Sequence, residues 1–449
     1  MNQSRRRFLS LALGVGAAPW ILPAGLRAAN GGPNGRIGMG FIGMGRQSEG
    51  LLRGFLSRRN DVQVLAVCDV DTTRREAARK VVEDYYAQDK PAGWKGCDVY
   101  TDFRKLLERP DIDAVCIATP DHWHAVITVA AAKAGKDIYC EKPLTETVTE
   151  ALAVMAAVHG HKRILQTGSM QRSFREFRTT CELVRNGAIG KVERIETSFG
   201  PPGKWCDLPE EAAEPGLDWD MWLGPAPMRP YNAQLAPRGQ HKHFPVWRHY
   251  REYGGGMVTD WGAHMLDIVQ WGLGADEKGG PIAVVPASGS DAKQGGILKY
   301  PGDIPVKHVS GDGNGVVFYG DCGEIHVQRG KFRFLREGKE ISKFWDKNEA
   351  SALPVELGKA EKAFLKDPKV RLYKSNDHTA DFINAVRART QPVCGVDIGA
   401  RTVIACHLLG FSYYYGKPFQ WDPAANTFAA GTGDPKWLHR EYRGDWKIA

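Results

Sequence analysis

The sequence lacks the marks of several specialised protein classes. Its nine cysteines are an odd number and include no C-x-x-C pair, so neither a zinc knuckle nor a complete set of disulfide bonds is indicated. Outside the N-terminus it has no apolar run of about 18 residues or more, the length that a membrane helix needs. It also has no stripe of lysine and arginine and no nucleic-acid-binding motif. We therefore expect neither a nucleic-acid partner nor a stable membrane span in the mature chain.

Positive charge is concentrated at the N-terminus. Half of the net charge of +8 comes from four arginines within residues 1–28, a stretch that contains no acidic residue. These basic residues precede an apolar stretch, and small residues follow it, which is typical of an export signal. The pair Arg5 and Arg6, followed by Phe8, resembles the twin-arginine type. We predict a twin-arginine export signal at 1–30 and a periplasmic or extracytoplasmic protein, with an uncleaved interfacial anchor as the alternative.

The rest of the chain falls into two parts with different patterns. From Arg36 to about Gln166, short apolar runs rich in β-branched residues alternate with helix-length segments, which predicts a doubly wound parallel sheet in an α/β fold. From Thr167 onward, strand-like segments such as GEIHVQRG and KFRFLREGK follow one another, which predicts a mostly antiparallel second domain. The predicted segments are the signal, a first domain at 31–166, a second domain at 167–420 and a C-terminal tail at 421–449.

The stretch RIGMGFIGMGRQSEG contains the G-x-G-x-x-G motif of dinucleotide-binding proteins in two overlapping registers. The motif works only where a strand leads into a tight turn and a helix follows, because the backbone N–H groups and the helix dipole then face the phosphates. The register that begins at Gly38 has no strand before it. In the other register, residues 37–42 supply the strand, Gly43 the turn and Gly45 the close phosphate approach, while Ser48 replaces the third glycine. We predict that this second register binds a dinucleotide.

An acidic residue at the end of the second strand supports this interpretation. Asp69 lies 26 positions after Gly43, and its carboxylate would accept hydrogen bonds from the ribose hydroxyls of the adenosine. That arrangement favours NAD, although Arg74 and Arg75 leave NADP open. The alternative is that Asp69 only begins a turn.

Three later segments carry candidate catalytic residues. TPDHWHA (119–125) and CEKPL (140–144) follow the fourth and fifth strands, at the edge where ligands of open α/β sheets bind. In GGGMVTDWGAHMLD, Asp260 and His264 are four residues apart and would share one face of a helix. A histidine beside a carboxylate is a natural proton acceptor. The alternatives are a helix cap for Asp260, a core position for His264 and a solvated surface position for Lys142.

The segment at about 200–256 is long and rich in proline, glycine and tryptophan, which is typical of a functional or a poorly ordered loop. Trp247 and Arg248 stand just before the candidate catalytic segment, and an aromatic face beside a polar group suits carbohydrate binding. Tryptophans in a loop are, however, at least as often its anchors. His241 and His243 form an H-x-H pair, but no further ligand at fixed spacing accompanies them, so we predict no metal site.

Taken together, the glycine-rich turn, the acidic strand end, TPDHWH, EKP and DWGAHMLD resemble the Gfo/Idh/MocA family of oxidoreductases over about residues 36–420. The resemblance implies a Rossmann domain followed by an α/β domain whose large open sheet often mediates oligomers, so we expect a homo-oligomer, either a dimer or a tetramer. In that family the lysine of EKP and the aspartate and histidine of D-x-x-x-H line the substrate site. Lys142, Asp260 and His264 are therefore the implied catalytic residues. Many members have asparagine where this chain has Asp121.

The reaction implied by the resemblance is hydride transfer between NAD, or NADP, and a sugar, polyol or sugar derivative. His264 would take the hydroxyl proton, Lys142 would hydrogen-bond the same oxygen, and Asp260 would orient the histidine. The predicted cofactor-binding residues are Gly43, Gly45, Arg46, Asp69, Thr119, Pro120, Asp121, His124, Glu141 and Lys142. The predicted substrate-binding residues are Arg172, Trp247, Arg248, Asp260 and His264.

Export bears on the choice between possible functions. Free NAD is not expected outside the cytoplasm, so an exported enzyme of this kind would need a tightly held cofactor that is recycled in each catalytic cycle. The first hypothesis is such a sugar oxidoreductase; the second is a glycosidase or lyase that acts through a transient keto-sugar; the third is a non-catalytic nucleotide-binding sensor. The family's glycosidase branch departs from EKP, which this chain keeps. Joint retention of Lys142, Asp260 and His264 disfavours a sensor.

Overall fold

Two β-sheets organise the part of the chain that the structure describes. A computed structural model describes residues 35–89, 91, 94–276, 279–289, 292–311, 313–429 and 431–448. The predicted export signal at 1–30 lies outside these ranges. Within them, no helix is both long and apolar enough to cross a membrane.

The first sheet is parallel and has helices between its strands. Its strands are β1 (Ile37–Ile42), β2 (Val62–Cys68), β3 (Asp98–Tyr100), β4 (Ala114–Ile117), β5 (Asp137–Cys140) and β6 (Leu165–Thr167). The helices between them are α1 (Arg46–Leu56), α2 (Thr72–Ala87), α3 (Phe103–Leu107), α4 (Asp121–Lys133) and α5 (Val148–Gly160). The strand order is β3-β2-β1-β4-β5-β6, with all neighbours parallel. Every residue of β1 is buried, as expected for a strand covered on both faces. The predicted doubly wound sheet is confirmed.

The second sheet has ten strands. They are β7 (Val192–Ser198), β8 (Ala283–Val285), β9 (Ile297–Tyr300), β10 (Ile304–Val309), β11 (Gly315–Gly320), β12 (Gly323–Gln328), β13 (Lys331–Arg336), β14 (Lys339–Phe344), β15 (Phe419–Asp422) and β16 (Thr427–Phe428). Their order is β14-β13-β12-β11-β7-β10-β9-β8-β15-β16. The β7–β10 pair is parallel and the other neighbours are antiparallel, so the predicted mostly antiparallel second domain is confirmed.

The chain after β6 contains more helices than the sequence pattern predicts. They are α6 (Arg175–Arg185), α7 (Trp219–Leu223), α8 (Met257–Asp260), α9 (Gly262–Leu273), α10 (Leu353–Phe364), α11 (His378–Ala388) and α12 (Val396–Tyr415), with short 3₁₀ turns at Met170–Ser173, Val246–His249 and Pro435–Leu438. Sequence reasoning found α11 and α12 but missed α6 and α10. Phe177, Cys181 and Val184 of α6 are buried at helical spacing, so a signal for that helix was present.

The C-terminal part of the chain does not stay within one domain. Helix α11 packs on the first sheet, where the Phe382 ring lies 6.1 Å from the Phe55 ring and 5.9 Å from the Tyr139 ring. The predicted boundary between residues 166 and 167 falls inside β6, and the predicted start of the tail at 421 falls inside β15. The residues after 421 therefore begin as part of the second sheet rather than as a separate tail.

Candidate active site

A cavity of about 390 Å³ lies at the carboxyl ends of the parallel strands, where the second domain covers the first. Fourteen of the fifteen residues that the sequence predicts for cofactor, substrate and catalysis line it, and Arg172 does not. The fourteen are Gly43, Gly45, Arg46, Asp69, Thr119, Pro120, Asp121, His124, Glu141, Lys142, Trp247, Arg248, Asp260 and His264. The structure thus brings the strand-end motifs and the D-x-x-x-H segment to a single site.

The two registers of the glycine motif have different environments. Strand β1 ends at Ile42, and Gly43 follows with φ +86°, a conformation that favours glycine. A Cβ on Gly43 would lie 2.6 Å from the Thr119 backbone nitrogen, so a side chain has no room there. Gly38, which opens the rejected register, lies inside β1, and its N–H donates to Asp113 Oδ2 at 2.9 Å. Only the second register forms a turn at the cavity.

The space in front of Gly45 is left open by the protein itself. A Cβ built on Gly45 would meet only Arg74 Nη1, at 3.8 Å. No side chain caps the first turn of α1, so its backbone N–H groups are available to an anion. Ser48 is fully buried and its hydroxyl donates to the Gly45 carbonyl oxygen at 2.7 Å, so the small hydroxyl side chain is accommodated where the motif has its third glycine.

Asp69 holds the turn as well as lining the cavity. Its Oδ2 accepts from the Met44 N–H at 2.6 Å, and its Oδ1 accepts from the Asp71 N–H at 2.8 Å. Burial raises the pKa of Asp69, and Arg74 opposes that rise. Arg75 is turned to the backbone and donates to the Asp69 carbonyl oxygen at 3.1 Å. Of the two arginines that left NADP open, only Arg74 lines the cavity.

Two residues of the TPDHWH segment, Thr119 and His124, differ in whether their polar atoms contact other protein groups. The Thr119 hydroxyl is buried and has no hydrogen-bond partner among the described residues. The ring nitrogens of His124 lie 2.7 Å from the Pro143 carbonyl oxygen and 3.0 Å from the Thr119 carbonyl oxygen. Burial lowers the pKa of His124 to about 4. His124 therefore joins the ends of two strands, and Thr119 is the group free to bind.

Asp121 opens α4 and is almost completely buried. Burial, and next the nearby Asp260 carboxylate, raise the pKa of Asp121 well above its usual range, against the opposing charges of Arg248 and Lys142. Burial thus works toward the protonated form, in which a carboxyl group carries both a donor and an acceptor, as the amide of asparagine also does.

Lys142 and Asp260 form the centre of the predicted catalytic cluster. The Lys142 ammonium contacts Asp260 Oδ1 and donates to the Asp260 carbonyl oxygen at 3.2 Å. On the other side, Arg248 Nε lies 3.2 Å from Asp260 Oδ2. Burial would raise the pKa of Asp260, but the two cations outweigh it and hold that pKa well below its usual range. Asp260 is therefore a charged group that fixes Lys142, and its orientation of His264 stays a prediction.

His264 lies beyond the break between α8 and α9. It is 4% exposed, and its Nδ1 has no hydrogen-bond partner within the described residues. Its ring meets the Trp261 ring edge-on, with centroids 5.6 Å apart. Burial, then the charges of Lys142 and Arg329, lower the pKa of His264 well below its usual value. Burial and the two cations therefore favour the neutral form of the imidazole.

Arg172 belongs to a different cluster, which corrects its assignment to substrate binding. It is 2% exposed and donates from Nε and Nη2 to the Asp267 carboxylate at 2.8–3.0 Å. Its Nη1 lies 2.9 Å from Asp276 Oδ2, and its guanidinium stacks on the Trp271 ring at 4.8 Å. With its donors turned to two buried carboxylates, Arg172 stabilises the fold rather than a substrate.

The loop residues that precede α8 are anchored, and several of them, Trp247 and Arg248 included, line the cavity. Trp247 is buried, and the Arg248 guanidinium lies 4.7 Å from the centre of its ring. The His241 and His243 rings are 5.4 Å apart, and a ring nitrogen of His241 lies 2.6 Å from the Arg238 carbonyl oxygen. Across the described parts of the chain, no group of three potential metal-ligating side chains was found.

Sequence reasoning missed several polar residues at the cavity, among them Arg329 and Gln47. Arg329 lies in the turn between β12 and β13, donates to Gln171 Oε1 at 3.0 Å and stacks on the Trp261 ring at 4.6 Å. Gln47 donates to Glu141 Oε1 at 3.0 Å. The sequence marks Arg329 only as part of a hairpin turn, and nothing in it indicates which hairpin reaches the first domain.

The residues present fit a dinucleotide. The open space at Gly45 and the uncapped turn of α1 suit phosphates, the carboxylate of Asp69 lies at the second strand end, and the Thr119 hydroxyl lacks a protein partner.

Two sequence models together match most of the chain. One, described as "Oxidoreductase family, NAD-binding Rossmann fold", matches residues 37–169, and the other, "Oxidoreductase family, C-terminal alpha/beta domain", matches residues 188–448. Inositol 2-dehydrogenase 4 of Saccharopolyspora erythraea is 32% identical over 175 residues, which are 38% of this chain and 48% of that protein. Glycosyl hydrolase family 109 protein 2 of a Shewanella species is 31% identical over 170 residues, 38% of this chain and 36% of that protein.

Among solved structures, aldose-aldose oxidoreductase from Caulobacter crescentus, complexed with glycerol, has a TM-score of 0.55 at 18% identity. The alignment covers 86% of this chain and 99% of that one. At this identity the likeness concerns the fold alone. The matches to the two curated relatives span about half of their length or less.

Proposed function

The chain belongs to the Gfo/Idh/MocA oxidoreductase family, and we propose that it is an exported NAD(P)-dependent oxidoreductase of a sugar, polyol or sugar derivative with a tightly held cofactor. The observation that carries the proposal is the continuity of one cavity. It extends from Gly45 and Asp69, which suit a dinucleotide, to Lys142, Asp260 and His264, which suit a hydroxyl-bearing substrate. A dinucleotide and a substrate bound there would meet within the same enclosed space.

The roles of the three catalytic residues follow from their contacts. The bound dinucleotide would supply the nicotinamide that exchanges hydride with the substrate carbon. His264, neutral and with a buried unpartnered nitrogen, would accept the proton of the substrate hydroxyl. Lys142 would donate a hydrogen bond to the same oxygen, because Asp260 fixes its ammonium group in the cavity. Asp260 acts through Lys142, and Arg248 holds the far side of its carboxylate.

We propose that the bound cofactor is recycled because an exported enzyme would find no free NAD outside the cytoplasm. A pair of arginines at the N-terminus favours twin-arginine export, a route that carries folded proteins, so a cofactor could be loaded in the cytoplasm. Two sugars could then exchange the hydride in turn. The name of the structural relative, an aldose-aldose oxidoreductase, is consistent with such a cycle.

The test is the absorbance of the purified protein near the reduced-nicotinamide band, measured before and after addition of a panel of sugars, polyols and glycosides. We expect nucleotide to copurify with the protein, and we expect the band to appear or bleach with at least one class of compound. Protein that copurifies with no nucleotide after gentle purification would overturn the tight-binding part of the proposal. A protein that binds no added NAD(H) or NADP(H) would overturn the whole.

A second candidate function is a glycosidase or lyase that oxidises a sugar transiently. The observation that favours it is the 31% identity to a glycosyl hydrolase family 109 protein. The two functions differ in their products, since the glycosidase releases an aglycone with no net change in nicotinamide absorbance. Product analysis by mass spectrometry after incubation with glycosides separates them. The EKP lysine, Lys142, favours the oxidoreductase.

We also propose that the protein is a homo-oligomer, formed through the sheet face that is not covered by helices. Glu196, Val317, His326 and Trp345 line a shallow groove on that face. Val317→Arg places a charge in its centre. Light scattering is expected to give a dimer or tetramer for the wild type and a smaller species for the variant, and a monomeric wild type would contradict the proposal.

A further inference from the structure

Residues 215–240 of the long loop, called here the strap, lie across the turn between β2 and α2. The Thr72 N–H and hydroxyl both donate to the Gly216 carbonyl oxygen, at 2.9 and 3.0 Å. The Asp218 N–H donates to the Val70 carbonyl oxygen at 3.2 Å, and the Gly239 N–H donates to a carboxylate oxygen of Asp71 at 2.8 Å. The strap is thus bonded at both of its ends to the strand end that carries Asp69.

The end of the strap also reaches the glycine-rich turn. Gln240 Nε2 donates to the Met44 carbonyl oxygen at 2.6 Å, and Met44 stands between Gly43 and Gly45. Arg238 Nε donates to the Thr73 hydroxyl at 3.0 Å. Residues of the second domain therefore connect the two segments that line the dinucleotide end of the cavity, and neither Arg238 nor Gln240 lines the cavity itself.

The strap fixes one cavity residue, Arg74, in a defined orientation. Arg74 Nε donates to the Gly239 carbonyl oxygen at 3.0 Å, and its Nη2 donates to the Pro237 carbonyl oxygen. Its Nε also lies 3.6 Å from Asp71 Oδ2, and its Nη1 lies 3.8 Å from the ideal Cβ position of Gly45, at the start of α1. A guanidinium held by two carbonyl groups and a carboxylate, with Nη1 beside a helix N-terminus, suits a phosphate.

We propose that the strap retains the dinucleotide: it holds Arg74 against a phosphate of the cofactor, and it must detach from Thr73 and Met44 before the cofactor leaves. This inference rests on the proposed function and gives the tight binding a structural cause.

The first test measures the dissociation rate of NADH by fluorescence after displacement with excess NAD. We expect Arg238→Ala and Gln240→Glu each to release NADH about tenfold faster, which corresponds to about 1.4 kcal/mol, with an unchanged unfolding midpoint of the nucleotide-free protein. Gln240→Glu keeps the side-chain size but places a carboxylate against the Met44 carbonyl oxygen. The matched control is Lys80→Ala, which removes an exposed ion pair with Asp84 on α2. Unchanged release from both strap variants would overturn the proposal.

The second test uses Arg74→Gln to decide which phosphate Arg74 contacts, the diphosphate common to NADH and NADPH or the 2′-phosphate of NADPH. Equal loss of affinity for NADH and NADPH assigns Arg74 to the diphosphate, and a loss confined to NADPH assigns it to the 2′-phosphate. No loss for either nucleotide overturns the role of Arg74. If the wild type binds neither nucleotide, the proposed function itself fails. If the wild type binds NADH and the strap variants release it at the wild-type rate, only the proposal that the strap retains the dinucleotide is refuted.

Discussion

Gly43 and Gly45 are two residues apart, but glycine is needed at the two positions for different reasons. Gly43 has a positive φ and backbone atoms within 2.6–2.8 Å of its ideal Cβ position, so the protein's own chain demands glycine there. Gly45 has ordinary backbone angles and open space before it. Because no protein atom excludes a side chain at Gly45, the need for glycine there comes from a bound ligand.

Gly45→Val is therefore expected to abolish nucleotide binding while leaving the unfolding midpoint close to the wild-type value. Isothermal titration with NADH and thermal unfolding of the nucleotide-free protein measure the two effects. Ser48→Gly is the companion variant, and we expect it to bind nucleotide and to lose only about 1 kcal/mol of stability, as glycine does inside a helix. Tight NADH binding by Gly45→Val would place the phosphates elsewhere.

His264 is expected to affect turnover rather than cofactor binding. Replacing it with glutamine removes the proton acceptor, and general-base catalysis contributes a factor of about 10² to 10⁴. We expect kcat to fall by that factor while the NADH dissociation constant, measured by fluorescence titration, changes less than about twofold. His161→Gln, at an exposed histidine, serves as control. Parallel loss of turnover and NADH affinity would count against the assigned role.

Arg172 and Arg175 offer a matched comparison of a buried and an exposed ion pair. Arg172→Met leaves the Asp267 and Asp276 carboxylates buried without their cation, and we expect a loss of about 3–5 kcal/mol in unfolding free energy. Arg175→Met removes a partly exposed pair with Glu361 and is expected to cost less than about 1 kcal/mol. Urea unfolding measures both. A higher KM for the sugar with little loss of stability in Arg172→Met would restore its role in substrate binding.

At the residue scale, the sequence could predict which side chains reach the cavity but not how they pair. Strand-end motifs identify cavity residues because parallel strands direct their carboxyl ends to one edge. The partner of Asp260 could not be predicted in this way. Lys142 is 118 positions away, and the pattern within D-x-x-x-H favoured the neighbouring His264 instead.

Among the elements, α8 is the one whose position decides the geometry of the site. Gly256 precedes it with φ +71°, and a Cβ there would lie 2.2 Å from the Gly203 backbone nitrogen. This close approach closes the base of the loop at 200–256 and sets the start of the helix that ends at Asp260.

Gly256→Ala is expected to displace α8 and to lower kcat/KM about 10- to 100-fold, since small displacements of reacting groups have effects of that size. The control is Gly187→Ala, because Gly187 has a similar φ of +76° but no atom within 4 Å of its ideal Cβ position. Both variants carry the backbone strain, and only Gly256→Ala carries the clash. Equal kcat/KM values for the two variants would show that the close approach is not needed for activity.

Elements with a strong local pattern were predictable and elements defined by distant pairing were not. The β1 strand and the helix after Gly45 follow from apolar runs and a turn signal. Strand β15 pairs with β8, some 135 positions earlier, and a short segment of this kind carries little local signal. Its alternating burial, with Phe419 and Trp421 inward, becomes evident only beside its partner.

At the scale of the whole molecule, the C-terminal residues join the first domain to the long loop. Arg440 contacts Glu146 and donates to Glu150 Oε1 at 2.8 Å, while the Trp446 ring lies 4.7 Å from that of Trp123. Arg443 donates to the Gly224 carbonyl oxygen at 3.0 Å. Such contacts make the domains interdependent, so a sequential division at fixed residues could be only approximate.

Three buried histidines make the stability of the folded protein depend on pH. His124, His378 and His407 are buried, and burial lowers the pKa of each from 6.5 to about 4. Between these values the unfolded chain binds protons that the folded chain does not, so each histidine reduces stability as the pH falls from about 6.5 to about 4. The difference amounts to about 3 kcal/mol per histidine. Above about pH 7.5 all three are neutral in both states and contribute no pH dependence.

His378→Gln isolates one of these contributions. The His378 ring bridges the Ser173 hydroxyl, at 3.0 Å, and the Thr167 carbonyl oxygen, at 2.9 Å, so the variant is expected to be less stable than the wild type at pH 7.5. The wild type, however, should lose about 2.5 kcal/mol more than the variant between pH 7 and pH 4.5, because only the wild type keeps a histidine that must stay neutral. Urea unfolding at several pH values measures both slopes, with His439→Gln, at an exposed histidine, expected to keep the wild-type slope. Parallel slopes for wild type and His378→Gln would mean that the folded protein protonates His378 as readily as the unfolded chain does, and burial would then not be the source of the acid sensitivity.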